Sequence, residues 1–417
     1  MIFKQELIKI FRNPVIPLLF VFFIGINFLI INSRSYVKEE LSILTDLVAQ
    51  YGTHIDEEMK SQIEKDYVGM VAWVNDLAPD QNKLYEHPSQ LLADISNSGV
   101  NPLSNEDFQQ LQRYSVVEYY VHGVQEIDEV YEGLNFSELA QSLIDLYGLT
   151  GSAAEEFRDG YQKLENRTDE LVSTGEHTNL FFMGKMYGMH SLFFKDIGRA
   201  LIYELMILVV LITAFITNYE FEHRTSLIAY TTKRGRKLVL DKLVAAIGGT
   251  MVVMAGLIGI TLSMFFFTYD YSVLWNVPIS SYFNAEAKLP YISWWNVSFL
   301  EYLALFVLFT ILIQLLFSGV SFFLSVLLKN TYLVFFVFVI FLGIGFIIPG
   351  YMPRDSILIF LMNFNPSVLI LNPQEWLMGN GPFTMHPYYE VITIGGWGAA
   401  VGVLGGISII HFKKESL

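Results

Sequence analysis

The chain contains no cysteine. Disulfides, thiolate zinc sites, iron–sulfur clusters and cysteine nucleophiles are therefore excluded. Charge is also scarce: 16% of the 417 residues are Asp, Glu, Lys or Arg, against about 25% in an ordinary soluble domain. No GxxxxGK[ST] loop occurs, and the nearest pair, Gly184-Lys185, lacks both the partner glycine and the following hydroxyl. That route to ATP hydrolysis is closed to this chain. There is no HExxH and no GxSxG elbow, and the eight histidines are scattered. His177 and His190 share one segment but have no suitably spaced acid, a weak metal signal. No catalytic residue and no cofactor or metal site is expected.

What is present is apolar: 53% hydrophobic and 15% aromatic residues, with a mean hydropathy of +0.42. The acidic sum, −15, is unevenly placed. Residues 32–199 hold 29 acidic and 12 basic residues, a net of −17, and the rest of the chain carries a net of +2. This is a soluble acidic block set inside a near-neutral apolar chain.

A bilayer core needs about 20 apolar residues in a helix. Six stretches qualify: 14–31, 200–219, and segments within 243–269, 302–328, 330–349 and 391–410. The first lies in 21 uncharged residues between Arg12 and Arg34 and is followed by no small-residue cleavage site, so it reads as a retained span. Short segments on the side of both termini hold 12 Lys and Arg, among them Lys4, Lys9, Arg12, Arg224, Lys233, Arg234, Lys242 and Lys329; the two short loops on the other side hold Lys288 and Arg354. The positive-inside rule places both termini in the cytosol and residues 32–199 outside.

The expected architecture is an all-α polytopic membrane protein with a large, mainly helical extracytoplasmic domain between spans one and two. Residues 1–13 form an interfacial amphipathic helix, with Phe3, Leu7 and Ile10 on one face and Lys4, Lys9 and Arg12 toward headgroups; Pro14 breaks it from span one, 14–31. The acidic domain covers 32–199 and span two 200–219. A cytosolic loop covers 220–242, and 243–410 holds spans three to six with outer loops 270–300 and 351–390. Residues 411–417 are a cytosolic tail. Within the acidic domain, Ser104 with Asp107 and Ser152 with Glu155 read as capping boxes opening helices. Residues 180–194 are too apolar for a free linker and could pack under the domain or lie on the outer leaflet. Tyr269, Tyr271, Trp275, Tyr282, Tyr291, Trp294 and Trp295 read as an interfacial aromatic belt. Residues 351–388 alternate Pro and Asn with apolar runs too short to span, suggesting short helices dipping back under protein cover. Glu204, early in span two, is costly in lipid and is expected at the interface or beside Arg199; Gln314 reads as an inter-helix hydrogen bond.

The segment YEFEHRTSLIAYTTKRGRKLVLDKLV, 219–244, carries six of the twelve cytosolic cations. Its first half can form a short helix exposing Leu227, Ile228 and Tyr230. It resembles the coupling region of type-2 ABC exporter permeases, the ABC-2 family. There, acids leave span two, a Thr-containing short helix and a hydroxyl–Arg stretch follow, and a Lys opens span three. The matching positions here are Glu220, Glu222, Thr225, Thr231 with Thr232, Arg234 with Arg236, and Lys242. Where the family commonly has Gly before the Thr, this chain has Arg224.

The resemblance implies a multi-pass permease of a bacterial cell membrane that couples to separate ABC ATPase chains, pairs with a second permease subunit, contacts lipid and binds no nucleic acid. ATP and Mg would belong to the ATPase partner. The rival class is a membrane-anchored receptor acting through the acidic domain. An ion-driven carrier is disfavoured by the missing intramembrane charge relay.

Overall fold

The computed structural model describes residues 2–78, 83–184, 188–230, 235–286 and 289–414, without the side chains of Ile2, Phe3, Arg236 and Leu289. Helices dominate, and six are long and apolar enough to cross a membrane: Val15–Asn32, Ser191–Glu222, Leu238–Thr268, Phe299–Leu328, Thr331–Tyr351 and Tyr389–Lys414. A two-stranded ribbon, β1 (Ala285–Glu286) with β2 (Leu289–Pro290), is the sheet structure among the described residues.

Helix α1 (Ile2–Arg12) ends before Pro14, and α2 (Val15–Asn32) is the first span. Asn13 Oδ1 accepts from the Val15 N–H at 3.0 Å and restarts the helix after the break. Between spans one and two lie α3 (Val37–Tyr51), α4 (Glu57–Leu77), α5 (Pro88–Ser98), α6 (Asn105–Glu132), α7 (Phe136–Tyr147) and α8 (Gly151–Thr174). Ser104 caps α6 as its spacing predicts, accepting from the Asp107 N–H at 3.1 Å. The second capping box does not form. Thr150 precedes α8, its N–H is taken by the Arg354 carbonyl at 3.0 Å, and Ser152 Oγ donates to the Asp355 carbonyl at 3.0 Å. A neighbouring loop supplies these partners, so the hydroxyl has no need to cap its own helix.

The block does not hang from the membrane helices on a linker. Leu180, Phe181, Phe182, Met189 and Leu192–Phe194 are buried in the main core, so the described residues of 180–194 pack inside protein. The Arg167 guanidinium, buried on α8, donates from Nε to the Ser293 carbonyl at 2.9 Å and from Nη2 to Glu176 at 2.6 Å. Phe283 stacks on Tyr120 of α6, 5.5 Å between centroids. The expected aromatic belt is thus largely core: Tyr269, Tyr271 and Tyr291 are buried, and Tyr269 donates its OH to the Ile31 carbonyl at 2.6 Å. Trp295 stays at the edge, 36% exposed.

Span two opens with a π-helical turn, Ser191–Ile197, nine residues before the apolar run suggests, and continues as α9 (Gly198–Glu222). The short α10 (Ser226–Tyr230) precedes span three, α11 (Leu238–Thr268); α12 (Phe299–Leu328) and α13 (Thr331–Ile347) form the tight hairpin expected at Lys329. Two one-turn helices, α14 (Leu358–Leu361) and α15 (Pro366–Leu369), precede α16 (Tyr389–Lys414). α15 packs on α13 and α16, and Asn365 Nδ2 reaches the Gly345 carbonyl at 3.3 Å. α15 is thus covered by protein, as broken backbone in a membrane requires, whereas Leu358 and Leu361 of α14 are exposed.

α9 is the hub. In the most apolar stretch of each span, 67% of span two is buried but 11% of span six. Apolar packing between helices gains little over lipid, so polar and small residues supply the specific contacts. Gln314 Nε2 donates to the Ile202 carbonyl at 2.9 Å, as anticipated; Ser321 Oγ donates to the Val210 carbonyl at 3.0 Å; Thr213 and Ser318 pair at 2.8 Å. All three bind α12 to α9.

Candidate coupling surface and the ionic hub behind it

Glu220 sits on the last turns of α9, and Lys242 sits one turn into α11. Both are helical, because α9 continues to Glu222 and α11 begins at Leu238; the loop between them is shorter than 220–242. Lys242 is buried and forms an ion pair with the Glu220 carboxylate. Its ammonium also donates to the Ile216 carbonyl at 2.6 Å and the Thr217 carbonyl at 3.2 Å. The other Glu220 oxygen pairs with Lys9 at 3.0 Å, and Lys9 pairs with the buried Glu6 at 2.6 Å. Two acids and two cations balance. A buried charge is tolerated only when paired and hydrogen-bonded, and here each ion has an opposite neighbour.

This network changes the role of α1. Lys9, expected toward lipid headgroups, turns into the bundle and lies over the Tyr219 ring, 4.5 Å from its centroid. Ile10 is buried against Gly249, whose missing side chain makes room: a Cβ there would stand 2.6 Å from Ile10 Cδ1. Lys4 and Arg12 remain exposed. Helix α1 is therefore clamped to the ends of spans two and three.

Glu222 works beside the hub. Its Oε1 accepts the Thr331 N–H at 2.7 Å, one of the unpaired donors that open α13. The end of span two is thereby tied to the start of span five. Thr225 is exposed; its N–H donates to the Glu220 carbonyl at 2.9 Å, and its carbonyl accepts from the Ala229 N–H at 2.9 Å. Arg224 has φ +57°, a left-handed conformation that glycine adopts without cost. Arg replaces the residue type but keeps the turn.

α10 then exposes Leu227 and Ile228, 63% and 75% accessible, while Tyr230 folds inward against Phe412 at 5.0 Å and Phe221 at 5.6 Å. Gly235 lies so close to the Tyr230 backbone that a Cβ would be 2.2 Å from its carbonyl oxygen. Thr231, Thr232 and Arg234 lie outside the described residues. Of the expected coupling residues, the structure brings Glu220 and Lys242 together, places Glu222 on the α13 start, and leaves Thr225 on the surface. Glu6 and Lys9 were missed as partners. Their i, i+3 spacing on one helix was the available signal.

Two further polar groups lie elsewhere in the bundle. Glu204 does not meet Arg199, which turns back to the Lys195 carbonyl; its carboxylate accepts from Asn27 Nδ2 at 2.8 Å, and Asn27 also donates to Thr261 at 3.1 Å. The acid is thus placed between spans one, two and three. Near the block, Glu286 gathers Lys195 at 2.5 Å, Ser191 at 2.9 Å and the Tyr291 hydroxyl. Burial alone would raise the Glu286 pKa, but these three donors outweigh it and hold the carboxyl below its usual range. Burial pushes His190 down to about 4, and burial with the nearby Glu286 charge lifts Glu375 to about 7. His190 Nε2 is engaged by the Gln374 carbonyl at 2.8 Å. The group latches span two to the loops.

No family model, curated protein or solved structure matches this chain.

Proposed function

We propose that this chain is the permease subunit of an ABC exporter, driven by separate ATPase chains. The observation that carries the reading is the surface of α10. Two large apolar side chains, Leu227 and Ile228, stand exposed at the end of the molecule that also holds α1, the α12–α13 turn and the end of α16. Apolar residues presented on a short, anchored helix suit a docking partner. The resemblance of residues 219–244 to the ABC-2 coupling region names that partner as an ATPase. On this reading the α10 end is cytosolic, the acidic block is extracytoplasmic, and a second six-span subunit completes the pathway.

The hub gives the push a route. Glu220 and Lys242 join spans two and three, Lys9 adds α1, and Glu222 adds span five. A load applied to α10 by closing ATPases would move these ends as one body, a rigid-body switch between two packed states. The receptor alternative leaves the elaborate α10 surface without a task.

The test is co-purification in lipid with a lone ABC ATPase, which this reading expects to be encoded beside this chain, followed by an ATPase assay. A Leu227→Asp, Ile228→Asp variant is expected to lower complex yield at least ~10-fold, the scale of losing interface anchors worth above ~1 kcal/mol each, with the permease still folded. Unchanged assembly and stimulated ATPase in that variant would sink the proposal.

A further inference from the structure

His87, Glu118 and His122 meet in the acidic block, each offering one ligand atom, and these atoms all lie within 4.8 Å of one another. The geometry points to a binding site for a divalent transition metal of the zinc class, formed by these three side chains. Nothing in the coupling reading requires it.

The placement comes from two helices. Glu118 and His122 are four apart on α6 and share a face. His87 is the N-cap residue of α5, where its backbone is extended and its side chain turns toward α6. The two imidazoles stand edge to face, 5.0 Å between centroids. Tetrahedral zinc with ligands at about 2.0–2.1 Å holds its donor atoms about 3.4 Å apart. The present separations exceed that by about 1.4 Å at most, a shift that side-chain rotation supplies.

The electrostatics favour a cation. Glu118 is buried, 7% exposed, with no ion-pair partner among the described residues. Its Oε2 accepts the Ser89 N–H at 2.9 Å and its Oε1 the Ser89 hydroxyl at 2.6 Å, which orients the carboxylate but leaves its charge uncompensated. A buried carboxylate facing two imidazoles is what a dication neutralises. The ligand set selects among cations: nitrogen donors suit zinc, copper and nickel, whereas calcium and magnesium take oxygen.

An outer shell is also present. The Tyr67 hydroxyl of α4 hydrogen-bonds His87 Nδ1 at 3.0 Å, leaving Nε2 as the nitrogen with no hydrogen bond among the described residues. Such partners fix the ring and tautomer of a metal-bound histidine. Ser89 does the same for Glu118. Three protein ligands leave a fourth position to water. Bound metal would pin α5 to α6, where α5 otherwise rests on a small satellite core of Val74, Tyr85, Leu91, Ile95 and Leu111.

The full-length chain without an affinity tag of histidines, in nanodiscs and stripped with a chelator, is titrated with zinc chloride against a chromophoric competitor. One tight equivalent per chain is expected, with affinity reduced at least ~10-fold in Glu118→Gln and in His122→Gln, the loss typical of altering a ligand or its support. His411→Ala should titrate like the parent. Cobalt(II) in the parent should give the d–d absorption of a four- or five-coordinate nitrogen–oxygen site, and hydrogen exchange across 88–98 should slow on adding zinc. The cobalt spectrum and the exchange need no variant, so a variant that misfolds does not shelter the proposal. No tight equivalent, an octahedral cobalt spectrum, or equal zinc affinity in parent and ligand variants would overturn it. Since none of these readouts involves an ATPase, failure here is distinguishable from failure of the exporter reading.

Discussion

At the scale of single residues, the decisive feature is that Glu220 and Lys242 face each other inside protein. Removing one partner of a buried pair leaves an uncompensated charge and costs about 3–5 kcal/mol, whereas removing both is often nearly neutral. Lys242→Met is therefore expected to destabilise strongly. Glu220→Gln is expected to cost at least as much, because Lys9 can fall back on Glu6, its partner at 2.6 Å, whereas the buried Lys242 loses its ion-pair partner. The double variant should recover most of the loss. Thermal unfolding of the two single variants and the double in one detergent measures the coupling, and strict additivity would show that the pair does not interact. Arg224 carries the same lesson: its identity departs from the glycine expected there, yet its backbone at φ +57° is the one a glycine would adopt. Backbone geometry, not side-chain type, is what the turn demands.

At the scale of elements, α1 was legible as amphipathic, but not what its faces touch. Spacing separates Leu7 and Ile10 from Lys4, Lys9 and Arg12; it cannot say that the apolar face meets a helix instead of lipid, since both are apolar. Gly249 decides, by letting Ile10 approach α11. A Gly249→Val variant should force α1 off spans two and three. Trypsin cleavage after Lys9 and Arg12 in detergent is expected to accelerate several-fold while the spans stay intact, because local opening of a packed element sets such rates. Unaltered cleavage would mean that α1 is not held at this position. The same blindness applies to α5 and α6: the Glu118 and His122 spacing is visible in sequence, but His87 lies about thirty residues away and joins only through packing.

At the scale of the whole molecule, the acidic block shares one core with the loops at its end of the bundle. Arg167 bonding to Ser293, Thr150 to Arg354 and Phe283 stacking on Tyr120 bind the block to both loop regions. A fragment of residues 36–178 alone would expose Tyr120 and leave Arg167 with Glu176 but without the Ser293 carbonyl. The arrangement also makes a topological expectation. The chain has no cysteine of its own, and Ser173 and Thr225 are both exposed. An impermeant maleimide should label Ser173→Cys in intact cells and Thr225→Cys only after permeabilisation. The opposite pattern would invert the assigned orientation.

Composition and run length by themselves determined six apolar helices, the acidic block between the first two, and its helical character, because membrane spanning and helix patterning depend on contiguous residues. Local spacing likewise set the Ser104 cap and the tight turn at Lys329. The tertiary structure alone decided which charges meet. Lys9 and Glu220 are 211 positions apart, and Asn27 and Glu204 are 177 apart. It also turned expected interfacial aromatics into core and drew Ser152 away from its own helix toward Asp355. The physical reason is common to all four: each group satisfies itself with the nearest complementary partner in space, and the chain order does not record which partner that will be.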